Sequence, residues 1–267
     1  MKMAKFRIGV QLQPQHTTYS SYRDAVKRVE SLGVDTIFTW DHFFPLNGDP
    51  NGAHFESYSM LGAMAVITQH AEIGCLVTCN SYRNPHLLAD MARTIDHISG
   101  GRFILGIGAG WCKLDYDEYE YEFGTPGTRL QSLADNLPVI LRRWTKLNPA
   151  PIRQPRIPIL VGGSGEKKTL KLAAQFADIW NMGGSPEQFR FKNSVLDNWC
   201  HELGRNPLEI ERSVVAFIPE GLAQLDAFAE AGATHIILAL SEPWNYEAVE
   251  QAIRWRESRN SGTKRDL

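Results

Sequence analysis

Eight short apolar runs, each followed by a stretch of helical character, divide this chain, and few folds satisfy that alternation. The runs are 5–13, 34–40, 72–79, 103–111, 158–161, 178–182, 210–217 and 235–240. The helical stretches are 22–32, 57–70, 85–98, 129–144, 166–176, 186–203, 221–231 and 246–257. Strict strand–helix alternation predicts a parallel sheet, and eight units in about 250 residues predict a closed (β/α)8 TIM barrel, an α/β fold. One domain over 1–267 is expected, with a proline-rich connector at 145–156 and a polar, frayed tail at 258–267. Ser20 or Ser21 is expected to cap the first helix, Gly33 to end it, and Pro138 to bend or break the fourth. An open doubly wound sheet is the alternative. Its fingerprint needs G-x-G-x-x-G at the first strand–helix turn, where this chain has Gln13-Pro14-Gln15.

A net charge of −2 gives no electrostatic reason to expect nucleic acid or an anionic membrane. No apolar run reaches about 18 residues, and Met1–Arg7 has no apolar signal core, so a cytoplasmic protein is expected. Of the four cysteines, Cys75 and Cys79 fall on one face of the third strand. Four residues of strand hold them roughly 13 Å apart, too far for a disulfide or a shared metal. Buried, reduced thiols and no metal site are expected.

Barrel enzymes carry their chemistry on the loops after the strands. Strand two ends in Asp41-His42. An imidazole there can give or take a proton near neutral pH, and Asp41 is the nearest carboxylate to orient it. The plainer alternative is a loop histidine packed on Trp40 or Phe43. His16, His54 and His86 could also reach the mouth. After strand five comes Gly162-Gly163-Ser164-Gly165, with Lys167 and Lys168 beyond it. Glycines and free N–H groups at a helix start favour a phosphate over an ordinary tight turn. Gly106, Gly108 and Gly110 thin the fourth strand, which lets another backbone or a flat ligand come close to its end. The loop 111–123 alternates acids with aromatics, which suits either a packed surface loop or a lid with Trp111 at its root. Nucleophile triads, paired carboxylates and metal clusters are missing from the strand ends, so a cofactor is expected to carry the chemistry. Phe43, Phe44, Phe55, Trp111 and Trp244 suggest a partly apolar organic substrate.

Three stretches carry a resemblance. They are T-I-D-H-I-S-G-G-R-F-I-L-G-I-G-A-G-W at 94–111, I-G-C-L-V-T-C-N-S-Y-R-N-P at 73–85, and P-I-L-V-G-G-S-G at 158–165. Their content and order resemble the luciferase-like flavin and deazaflavin oxidoreductases, over about residues 6 to 255. The resemblance implies coenzyme F420 or FMN in the barrel mouth. It places Leu76, Val77 and Cys79 of strand three, and Gly108, Ala109, Gly110 and Trp111 of strand four, around the ring. Gly162, Gly163, Ser164 and Gly165 would hold the phosphate. It further implies a cis peptide at Leu76-Val77 and a homodimer. An F420-dependent oxidoreductase acting on a small organic molecule is the leading expectation, with His42 handling the proton. An FMN-dependent monooxygenase fed by a separate reductase is the second, and a non-catalytic flavin-binding barrel the third. The connector at 148–156 is shorter than the insertion of bacterial luciferase, and the sugar-phosphate-binding cations of the glucose-6-phosphate enzyme have no clear counterparts.

Overall fold

A computed structural model describes residues 5–262. It is a closed parallel (β/α)8 barrel. The strands are β1 (Arg7–Leu12), β2 (Thr36–Thr39), β3 (Glu72–Cys75), β4 (Thr78–Cys79), β5 (Phe103–Gly108), β6 (Ile159–Gly162), β7 (Ile179–Gly183), β8 (Glu211–Phe217) and β9 (His235–Leu240). They follow one another around the sheet, and pairing of β3 with β5 closes the ring. β3 and β4 are two halves of the expected third strand. A cis peptide at Leu76-Val77 separates them, as the resemblance implies. The helices nearest the site are α1 (Tyr19–Ser31), α2 (Ser57–Ile67), α3 (Pro85–Ile98), α4 (Lys113–Glu118), α5 (Pro126–Trp144) and α6 (Thr169–Phe176).

Alternation along the strands sorts the side chains. Phe103, Leu105 and Ile107 face the helices, while Phe38, Leu76, Ile104, Leu160, Ile179 and Ile237 pack with one another inside the barrel. Several local readings are corrected. The α1 cap is Thr18, whose hydroxyl accepts from Ser21 N at 3.1 Å, so Ser20 and Ser21 lie within the helix. α5 runs unbroken through Pro138, which sits on its exposed side, where the unpaired carbonyl one turn earlier can bond to water. The last helix, Tyr246–Gly262, takes in half of the expected frayed tail, and 263–267 lie outside the described residues. All four cysteines are free. No helix among the described residues is long and apolar enough to cross a membrane.

The first residues of four strands build a charged floor. Arg7 bridges Glu72 and Glu211, and Glu211 lies 2.6 Å from the Nδ1 of the fully buried His235. Burial alone would raise the Glu211 carboxyl, but His235 and Arg7 override it and hold it at about 2. A carboxyl held below its unfolded value stabilises the fold above that value, and the gain is lost as pH falls toward the folded one. Glu211 is therefore expected to contribute roughly 3 kcal/mol at neutral pH, lost progressively between about pH 5 and pH 2. Urea titrations of the wild type and Glu211→Gln across that window check this. The two midpoints should converge in acid, and a constant gap would contradict the assignment.

Candidate active site

The site forms where the bent third strand enters the barrel mouth. Two inward positions of β5, Gly106 and Gly108, must be glycine for that bend to fit. A Cβ on Gly106 would lie 1.9 Å from the Cys75 carbonyl oxygen, and one on Gly108 2.7 Å from Val77 Cγ2. Gly162 on β6 meets the same valine, also at 2.7 Å, and Gly110 (φ +81°) makes room for Tyr116 and Cys79. Of the two occupants open to these glycines, a backbone or a flat ligand, Gly106 and Gly108 admit the neighbouring strand, which in turn presents Leu76 and Val77 to the mouth. Gln11 holds the bend by donating from Nε2 to the Leu76 carbonyl at 2.7 Å.

Two clefts meet at Val77, Gly110 and Trp111. The first, about 400 Å³, is floored by Leu76, Val77, Thr78 and Cys79 and walled by Trp40, His42, Trp111 and Phe217. The second, about 330 Å³, runs along Gly108 and Ala109 to Gly162, Gly163 and Thr169, with Arg129 at its side. Trp111 is 66% exposed and lines both clefts.

Asp41 and His42 leave β2 together but point to different partners. The carboxylate that holds His42 is Asp115, not Asp41. His42 Nδ1 lies 2.6 Å from Asp115 Oδ2, which also accepts from Tyr82 Oη at 3.0 Å, while Asp115 Oδ1 accepts from Phe43 N at 2.9 Å. Asp115 is fully buried. Burial would raise its carboxyl, but the bonds from His42 and from the Phe43 N–H hold it below the ordinary range. An ionised carboxylate on Nδ1 fixes the imidazole tautomer and leaves Nε2 as the working nitrogen. That atom has no hydrogen-bond partner among the described residues, and His42 lines the larger cleft.

Asp41 instead takes a two-pronged bond from Arg83, at 2.6 and 2.9 Å, and accepts from Cys79 N at 2.9 Å. Arg83 continues to Glu56, the α2 cap, and lies over the Tyr58 ring at 4.2 Å. Asp41 therefore braces the bend and the end of the 43–56 loop. His54 accepts from Trp40 Nε1 at 2.9 Å; burial pushes its imidazole down to about 4, so it holds the tryptophan as a neutral acceptor. His16 bonds the Asn47 carbonyl at 2.8 Å. Neither these two nor His86 lines the clefts.

The acid–aromatic loop is a packed wall. α4 buries Asp115 and Tyr116, and Phe43, Tyr82, Tyr119, Tyr121 and Phe123 stack around them. Arg129 ties it down through Gly110 O at 3.1 Å and Phe123 O at 2.8 Å. Only Trp111 of the expected lid reaches the clefts. Phe55 and Trp244, expected at the mouth, pack against the core outside the barrel.

At the expected phosphate turn, Gly162 and Gly163 (φ +125°) line the second cleft, and Ser164 and Gly165 do not. The N–H groups of Ser164 and Gly165 donate to nothing among the described residues. Thr169, which opens α6, was missed from the sequence. It is only 7% exposed and lines the cleft, and its hydroxyl has no partner among the described residues. Free N–H groups beside an unpaired hydroxyl at a helix start suit a phosphate.

A family model described as luciferase-like monooxygenase matches residues 2–265. The chain is 28% identical over 215 residues to the 5,10-methylenetetrahydromethanopterin reductase of Archaeoglobus fulgidus, covering 75% of this chain and 60% of that protein. Its fold is similar to an F420-dependent secondary alcohol dehydrogenase solved with an F420-acetone adduct, with TM-score 0.81, 17% identity, and coverage of 95% of this chain and 98% of the other. It is also similar to the FMN-bound oxygenating constituent of 3,6-diketocamphane monooxygenase from Pseudomonas putida, with TM-score 0.74, 14% identity, and coverage of 93% and 97%.

Proposed function

This chain belongs to the luciferase-like monooxygenase family, and we propose that within it the chain is a coenzyme F420-dependent oxidoreductase that moves a hydride between the deazaflavin and a small organic substrate. The observation that carries the reading is the His42–Asp115 pair beside a cleft floored by Leu76 and Val77. Bound there, the deazaflavin supplies a two-electron hydride carrier that reacts poorly with oxygen. His42 gives or takes, at Nε2, the proton that accompanies the hydride. Asp115 holds the Nδ1 proton and stabilises the imidazolium when it forms. Asp41 acts through structure, fixing Cys79 N and Arg83.

The ring would rest between the Leu76–Val77 bend and Trp111, with Cys79 and Gly110 at its edge. Gly108 and Ala109 would flank the side chain, and Gly162, Gly163 and Thr169 would receive the phosphate, with Ser164 and Gly165 offering N–H groups from just outside. Exposure of Trp111 favours hydride chemistry over a flavin peroxide, whose pocket must keep water out. The named reductase and dehydrogenase relatives point the same way.

Fluorescence titration of the purified protein with F420 and with FMN tests this. Micromolar binding of F420 is expected. Binding of FMN alone would move the protein to the monooxygenases, and failure of both would leave a barrel without this cofactor chemistry.

A further inference from the structure

We infer that the larger cleft selects an uncharged substrate bearing a carbonyl or hydroxyl oxygen, and that Gln15 enforces this by turning the amide N–H groups of Gln13 and Asn47 toward it. The inference rests on the proposed function: with the ring on the Leu76–Val77 floor, the substrate takes the part of the same cleft that Gln13, His42 and Asn47 line. Gln15 is 1% exposed, and its Oε1 accepts from the backbone N–H of Leu46 at 2.8 Å. That bond settles which end of the amide is which, so Nε2 must donate. It donates to Asn47 Oδ1 at 2.9 Å and, at longer range, to Gln13 Oε1 at 3.4 Å. With both oxygens engaged, the NH2 groups of Gln13 and Asn47 are left over. Neither has a partner among the described residues, and both residues line the cleft.

Charge decides the rest. Among the described residues lining this cleft there is no lysine or arginine. Its one carboxylate, Asp41, is spent on Arg83, and Asp115 stands directly behind His42. An anionic substrate would lose hydration in a cleft lined by no lysine or arginine, where Arg83 is already taken by Asp41 and the charge of Asp115 faces His42. A neutral oxygen loses little and gains the two amide donors and His42. The remaining wall, Leu46, Val215 and the 60% exposed Phe217, offers apolar contact to the rest of the molecule.

Acetophenone and 4-acetylbenzoate share the aryl ketone and differ by one para carboxylate, so they serve as probes, with Phe217→Lys separating the effect of its charge from that of its size. Their binding to protein saturated with whichever of F420 or FMN it takes up is measured by saturation-transfer NMR. Acetophenone should bind at least about tenfold more tightly. Asn47→Asp, which turns a donor into an acceptor at an exposed position, should weaken acetophenone about tenfold. Phe217→Lys should narrow or reverse the preference by placing a cation at the rim. Equal binding of the two probes, no binding of either, or an unchanged preference in Phe217→Lys would overturn the inference; an unaffected Asn47→Asp would overturn the role of the amides. Since no turnover is read, use of FMN or failure of hydride transfer would count against the redox proposal and leave this result standing on its own.

Discussion

Replacing His42 with alanine is expected to lower turnover by about 100-fold or more, with cofactor affinity nearly unchanged. The imidazole is the side chain at the mouth that combines a fixed orientation with an unpaired ring nitrogen. Asp115 supplies the orientation and is itself held by Phe43 N and Tyr82 Oη, so the pair is rigid before substrate arrives. Asp115→Asn keeps the shape but loses the charge, so Nδ1 is no longer held protonated by a carboxylate. A loss of at least about 10- to 100-fold is expected, the range for partners that orient metal-bound histidines. Single-turnover rates and cofactor titrations of the three proteins separate chemistry from binding. A wild-type rate in His42→Ala would remove the residue from the mechanism. Equal rates in Asp115→Asn and the wild type would show that packing alone orients it.

Gly106→Ala is expected to destabilise the barrel by about 3 kcal/mol or more. The added methyl would sit 1.9 Å from the Cys75 carbonyl oxygen, and that carbonyl and the Cα bearing the methyl are both fixed in the backbone of a closed sheet. Neither can swing away as a long side chain would. Gly62→Ala is the matched control, because that position lies within α2 and a Cβ there meets nothing within 4 Å. It should be neutral or gain up to about 1 kcal/mol from helix propensity. Urea midpoints measure both. Equal stability in the two variants would mean that β5 and the bent third strand can move apart, and that the mouth is less constrained than its geometry indicates.

The barrel itself was legible in the sequence, because hydrophobic period and turn residues are local signals that repeat eight times. α3 and β9 have the limits expected from Pro85–Ile98 and His235–Leu240, where proline, glycine and polarity changes mark both ends. The motif order also placed His42, the Leu76-Val77 bend, the glycines of β5 and the turn at 162–165 around one end of the barrel. Local pattern could not say what each glycine makes room for. That depends on how far the third strand intrudes, and only the closed sheet shows that Gly106, Gly108 and Gly162 yield to Cys75 and Val77.

The partner of His42 was decided by tertiary structure alone. Adjacency in sequence favoured Asp41, yet neighbouring residues leaving a strand point to opposite sides, and Asp41 turns to Arg83. Asp115 lies 73 positions away in a loop crowded with Asp117, Glu118, Glu120 and Glu122. Nothing in composition or spacing marks it among them. Thr169 was hidden for the same reason, and Gln15, although its place at the end of strand one was legible, gave no sign of its role: each is an ordinary polar residue until the fold buries it and leaves one of its groups facing a cleft or a neighbouring amide. Sequence determines the elements and the end of the barrel that carries function, since those follow from periodicity and order. Which side chains pair within that end follows from three-dimensional proximity and desolvation, and a linear pattern holds no record of either.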